Sequence, residues 1–202
     1  MFDTDYNITG SHATKLKSLA VKNSEDKKED KESPKVSARI FERYIDVYLN
    51  AAIWGLLYNR TAKRDSSSTD RARIYADAFS RERDNCMFLY RMVMLLANSD
   101  RKNYLTKEQR VDRAFRYDSK GKEFLEENLE LFHSYVRGGI DILYETFCEN
   151  LPSFTREDFM NRIHDTLSEY RNILEKNNGE FVPEDKNIDK DFEDKINNLL
   201  KV

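Results

Sequence analysis

"LEENLELFHSYVRGGIDILYETF" (residues 125–147) carries apolar side chains at Leu125, Leu129, Phe132, Val136, Ile140, Leu143 and Phe147, in steps of three and four. That spacing follows the 3.6-residue period of an α-helix and gives it one continuous face to bury. Gly138 and Gly139 interrupt the stretch, although glycine in a helix interior costs about 1 kcal/mol relative to alanine. Gly139 falls on the edge of the stripe, so its missing side chain predicts a close crossing by another helix. Arg137 and Asp141 stand one turn apart on the flank, in the weaker order for a local pair. Asp141 is therefore expected to reach a neighbouring helix.

The segments around this helix are also helical in pattern. From Ser37 onward, Ile40, Phe41, Tyr44, Ile45, Tyr48, Ala51, Ala52, Gly55 and Tyr58 recur at three and four, with further apolar residues on the other faces. A helix apolar nearly all round belongs at the centre of a bundle. A second helix is predicted after "NRTAKRDSSSTDRAR" (59–73), capped by Ser68 or Thr69 and running to about Asn98. Thr106 should cap a short basic helix in which Val111, Ala114 and Phe115 face inward, and Thr155 a later one burying Phe159, Ile163, Leu167, Tyr170 and Leu174.

The expected fold is all-α: a four- to five-helix bundle over residues 36–176, with a loosely attached N-terminal segment (1–22). A charged flexible linker (23–35), a second linker (177–187) and a C-terminal amphipathic docking helix (188–202) complete the organisation. The docking stripe is Ile188, Phe192, Ile196, Leu199 and Leu200, too short to stand alone and so expected to meet a protein partner or another copy. No run is long enough for a membrane span and no signal pattern opens the chain, so a cytoplasmic protein is expected. Cys86 and Cys148 lie on apolar helical stretches, as small buried hydrophobes do.

The net charge of −3 hides an asymmetry. Residues 33–122 carry 19 basic and 11 acidic side chains, whereas residues 123–202 carry 9 and 19. The strongest basic concentration is Arg101, Lys102, Lys107, Arg110, Arg113, Arg116, Lys120 and Lys122, a candidate nucleic-acid surface of the kind that exchanges counterions for phosphate. The glutamates that open the next helix offer the same residues an intramolecular partner. Arg64, Arg71 and Arg73, beside a predicted helix start, form a candidate anion site.

Catalytic and metal spacings are weak. Glu130 and His133 have the Glu-x-x-His spacing of di-iron bundles, but no second copy occurs, and no cofactor or metal is expected. The sharper feature is charge placed inside apolar helices: Asp46 with Asn50, Arg91, and Arg137 with Asp141. Unpaired buried charges are costly, so Arg91 is expected to pair with Asp46 or Asp141 across helices. These features together point to a non-enzymatic adaptor or subunit of a larger assembly, with a nucleic-acid-binding helper as the alternative.

Overall fold

The computed structural model describes residues 1–20, 40–97, 105–116, 121–149 and 156–176. In chain order these form β1 (Tyr6–Thr9), α1 (Ser11–Leu19), α2 (Tyr44–Leu57), β2 (Arg71–Ile74), α3 (Ala76–Arg81), α4 (Arg83–Leu96), α5 (Lys107–Phe115), α6 (Lys122–Phe147) and α7 (Arg156–Lys176). The protein is thus mostly helical, with one small two-stranded sheet. Among the described residues no helix is long and apolar enough to cross a membrane. Two compact units divide the chain, Met1–Phe154 and Thr155–Val202. The expected linkers (23–35 and 177–187) and the C-terminal stripe from Ile188 to Leu200 lie outside the described residues.

The first unit is organised by α2 crossing α6. A Cβ built on Gly139 would overlap the Ala51 carbonyl oxygen and sit 2.6 Å from its carbon, and one on Gly55 would overlap the carbonyl oxygen of Tyr135. Ala51 opposite Gly139 and Gly55 opposite Tyr135 make the two helices antiparallel. Gly138 receives a different neighbour, the Arg60 backbone, with the Arg60 carbonyl carbon 2.6 Å from where its Cβ would be. Beside this crossing, Phe2, Tyr48, Phe79, Tyr90 and Phe132 form one aromatic cluster, mostly edge-to-face with Phe2 tilted on Phe79, with ring centroids 5.3–6.5 Å apart, the favoured range for aromatic pairs.

The N-terminal segment, expected to be loosely attached, is built into the core. Phe2, Ile8, Ala13, Leu16 and Leu19 are buried, and Phe41 donates its backbone N–H to Leu19 O at 3.0 Å. β1 pairs antiparallel with β2, Tyr6 opposite Ile74 and Ile8 opposite Ala72. That pairing corrects the helix expected to start after Thr69. In Arg71–Ile74 the alternation puts Ala72 and Ile74 inward with Ile8, and β1 satisfies the backbone. Helix resumes only at Ala76 and breaks again at Glu82 before α4.

Thr106 caps α5 as expected: its Oγ1 accepts from Gln109 N at 3.3 Å while Gln109 Oε1 accepts from Thr106 N at 2.8 Å. Of the three α5 residues expected inward, only Ala114 is buried; Val111 and Phe115 face solvent. α5 packs mainly against α4. In α7, Leu167 was expected to be buried and is 63% exposed, because no other described element of its unit lies over it.

Candidate functional site

The buried charges resolve into three separate places. Arg137 is 2% exposed and donates from Nε to Ala62 O at 2.9 Å, from Nη1 to Tyr6 Oη at 3.3 Å, and from Nη2 to the Glu130 carboxylate. It thereby fastens β1 and the 59–70 loop to α6. The same loop is held by Ala62 N donating to Ser134 O at 2.9 Å and by a forked pair from Arg60 to Glu145 at 2.5 and 2.6 Å. One turn away, His133 Nε2 lies 3.0 Å from Tyr48 Oη, and its ring stacks on Tyr6 at 3.9 Å. Burial, and then the charges of Arg137 and Arg64, push the His133 pKa down to about 3. A neutral imidazole fixed between two tyrosines is suited to packing rather than to carrying protons near neutral pH. Because Glu130 turns to Arg137 and His133 to Tyr48, their spacing does not converge on a common ion.

Asp141 forms the second place. Burial alone would raise its pKa, but His12 and Lys15 of α1 hold it below the ordinary value; Lys15 Nζ donates to Oδ1 at 2.6 Å and His12 Nε2 lies 3.5 Å from Oδ2. Asp46 is the third. It accepts from Arg43 N at 3.0 Å and from Arg43 Nη2 at 2.5 Å at the start of α2, and its backbone oxygen accepts from Asn50 Nδ2 at 2.9 Å. The expected Arg91 pairings do not form. Tyr90, Val93 and Met94 take the inner face of α4, which turns Arg91 outward, its guanidinium 5.2 Å from the centroid of the Phe115 ring. A further buried polar group escaped the sequence reading: Asn128 is fully buried, with neither amide atom hydrogen-bonded among the described residues.

The candidate anion residues do not surround a helix start, because the backbone there is β2. Arg73 binds Asp5 and lies over the Tyr75 ring, while Arg64 and Arg71 are exposed. Of the candidate nucleic-acid residues, Arg101, Lys102 and Lys120 lie outside the described residues. Most of the others make contacts within the protein. Arg110 donates to Leu95 O at 3.1 Å, Arg113 lies over the Phe124 ring, Arg116 pairs with Asp112 at 3.2 Å, and Lys122 approaches Glu126 at 3.5 Å. Lys107 is exposed.

The basic helix instead borders an apolar surface. Phe88 is 65% exposed and Leu96 51% exposed on α4; Val111 is 38% and Phe115 51% exposed on α5. These residues belong to two helices in direct contact, and Arg91, one turn from Phe88 in sequence, lies over the Phe115 ring. Single exposed apolar residues are ordinary on a protein surface; here four large ones fall on two adjoining helices. Its sequence signal was the all-round apolar run "MFLYRMVMLLA" (87–97), too apolar for a helix with only one covered side. No protein-family model, curated protein or solved structure matches this chain.

Proposed function

We propose that this chain is a non-enzymatic helical adaptor, a subunit of a larger intracellular assembly that docks a protein partner on the α4–α5 face. The observation that carries the reading is the exposure of Phe88, Leu96, Val111 and Phe115 on adjoining helices. The tight α2–α6 crossing and the Arg137 clasp supply a rigid support for such a face, while Asp141 and Asp46 are held by Lys15 and Arg43. Cys86 and Cys148 are buried as thiols, which is compatible with an intracellular assembly. The test is affinity capture with the native chain and with a Phe88→Asp/Phe115→Asp variant of unchanged thermal midpoint. Partners lost from the variant support the reading; an identical set recovered by both removes the face from it.

The alternative is a nucleic-acid-binding helper, favoured by one observation, the arginine lying over an exposed aromatic at Arg91 and Phe115. Fluorescence anisotropy with single- and double-stranded oligonucleotides at about 50 mM and about 200 mM salt separates the two, because phosphate-driven binding weakens steeply across that range. Absence of binding at the lower salt eliminates the alternative.

A further inference from the structure

We infer that the α4–α5 face receives a helical segment of a protein partner that carries an acidic side chain among its apolar anchors. This names the chemistry of the occupant and rests on the adaptor reading. Phe88, Met92 and Leu96 recur every four residues along α4, and Val111 and Phe115 are four apart on α5. The two helices run side by side in opposite directions, since Arg110 Nη1 reaches Leu95 O at 3.1 Å and Tyr90 Oη reaches Arg113 O at 2.8 Å. Two adjoining ridges of side chains leave a groove into which a third helix sets its own i, i+4 ridge.

Charge then defines what that helix must bring. Arg91 lies one turn from Phe88, with its guanidinium over Phe115, so a segment covering the apolar residues also covers this cation. Among the described residues Arg91 has no carboxylate partner. Stripping water from a guanidinium without supplying an acceptor is strongly unfavourable, whereas a carboxylate accepts its forked donors in the plane they define. The surroundings have the same sign: α4 and α5 with Arg116 carry six basic and three acidic side chains, and one of the three, Asp112, is already tied to Arg116. Phosphate would satisfy Arg91 equally well. Met92, Leu96 and Val111, however, offer aliphatic packing rather than planes for bases, which favours a peptide over a nucleic acid.

The experiment uses the full chain, immobilised, to select from a phage-displayed library of random peptides about 16 residues long, long enough for about four helical turns. The Arg91→Glu variant is panned in parallel, and Phe88→Asp and Phe115→Asp serve as site controls. All three positions are exposed, so each variant should retain the native thermal midpoint. The expected result is that the native chain enriches peptides with Asp or Glu between apolar residues spaced three and four. Those peptides should bind Arg91→Glu about tenfold more weakly or worse, and that variant should enrich Lys or Arg instead. Peptides that need Phe88 and Phe115 but show no acidic preference would overturn the occupant while leaving the adaptor face standing. Enriched peptides indifferent to both phenylalanines would overturn both readings. Failure to enrich any peptide, with binding of a single-stranded oligonucleotide that Arg91→Glu abolishes, would transfer the face to nucleic acid; failure of both probes would also overturn the inference.

Discussion

Gly139→Ala offers the most direct test of the packing at the centre of this protein, because two physical effects predict opposite signs. In an isolated helix alanine is better than glycine by about 1 kcal/mol, so propensity alone makes the substitution stabilising. Here the new methyl group would overlap the Ala51 carbonyl oxygen and lie 2.6 Å from its carbon and 2.9 Å from its Cα. All three atoms are backbone, so no rotamer change can relieve the overlap. α2 and α6 must move apart, loosening the contact that Gly55 makes with Tyr135 one turn away. Overpacking of this kind costs about 1–3 kcal/mol and more when backbone must move; with two helices displaced, the upper part of that range applies. Subtracting the propensity gain leaves a net loss of about 2 kcal/mol. For a chain of this size that lowers the thermal midpoint by about 4–8 °C. Urea unfolding followed by far-UV circular dichroism measures the change directly. A variant as stable as the native protein, or more stable, would refute the close crossing.

Three further outcomes follow from the same geometry. His133 has a folded pKa of about 3, below its ordinary 6.5, so the unfolded chain takes up a proton that the folded chain refuses. The stability this group supplies is present above pH 6.5 and declines as pH falls towards 3. Between pH 7.5 and pH 5 the decline amounts to about 2 kcal/mol, and His133→Gln should remove that part of the dependence in urea titrations at the two pH values; equal slopes in both proteins would contradict the assignment. Asn128→Leu keeps the branched shape and removes two buried amide atoms without hydrogen bonds among the described residues, so it should raise stability by about 1–2 kcal/mol; a loss of stability in both this variant and the smaller Asn128→Ala would show that the amide has a partner. Burial pushes the Cys86 thiol up to about 12 and Cys148 is buried, so neither should react with Ellman's reagent at pH 8 until denaturant is added.

The parts of the fold legible in the sequence were those whose reason is local. The spacing of Phe132, Val136, Ile140, Leu143 and Phe147 identified α6, and all five are buried. Gly139 announced its crossing because an unfavourable residue inside a strong helix needs a compensating neighbour. Asp141 was rightly expected to reach another helix, but the partner is α1, whose Lys15 lies 126 residues earlier. No pattern within α6 encodes that distance. β2 was missed for a related reason. "RARI" shows alternation over only four residues, and what turns alternation into a strand is β1, more than 60 residues away. Arg91 was placed inside because its helix is apolar on nearly every side, and periodicity cannot tell a helix enclosed by neighbours from one with an uncovered apolar side. The uncovered apolar side was therefore present in the sequence as an excess of hydrophobicity, and only packing shows which residues it exposes.

The Arg137 clasp also constrains the order in which the chain can assemble. Its donors reach Tyr6, 131 residues earlier, and Ala62, 75 residues earlier, while Phe2 packs against Phe132. These contacts have high sequence separation, which slows folding because loop entropy must be lost before any of them forms. During synthesis at about 5–20 residues per second, the first strand and helix wait roughly 7–26 s before Arg137 is made. Until then Phe2, Ile8, Leu16 and Leu19 have no α6 to pack against. The first unit is therefore a late-closing structure, completed only once α6 has been made.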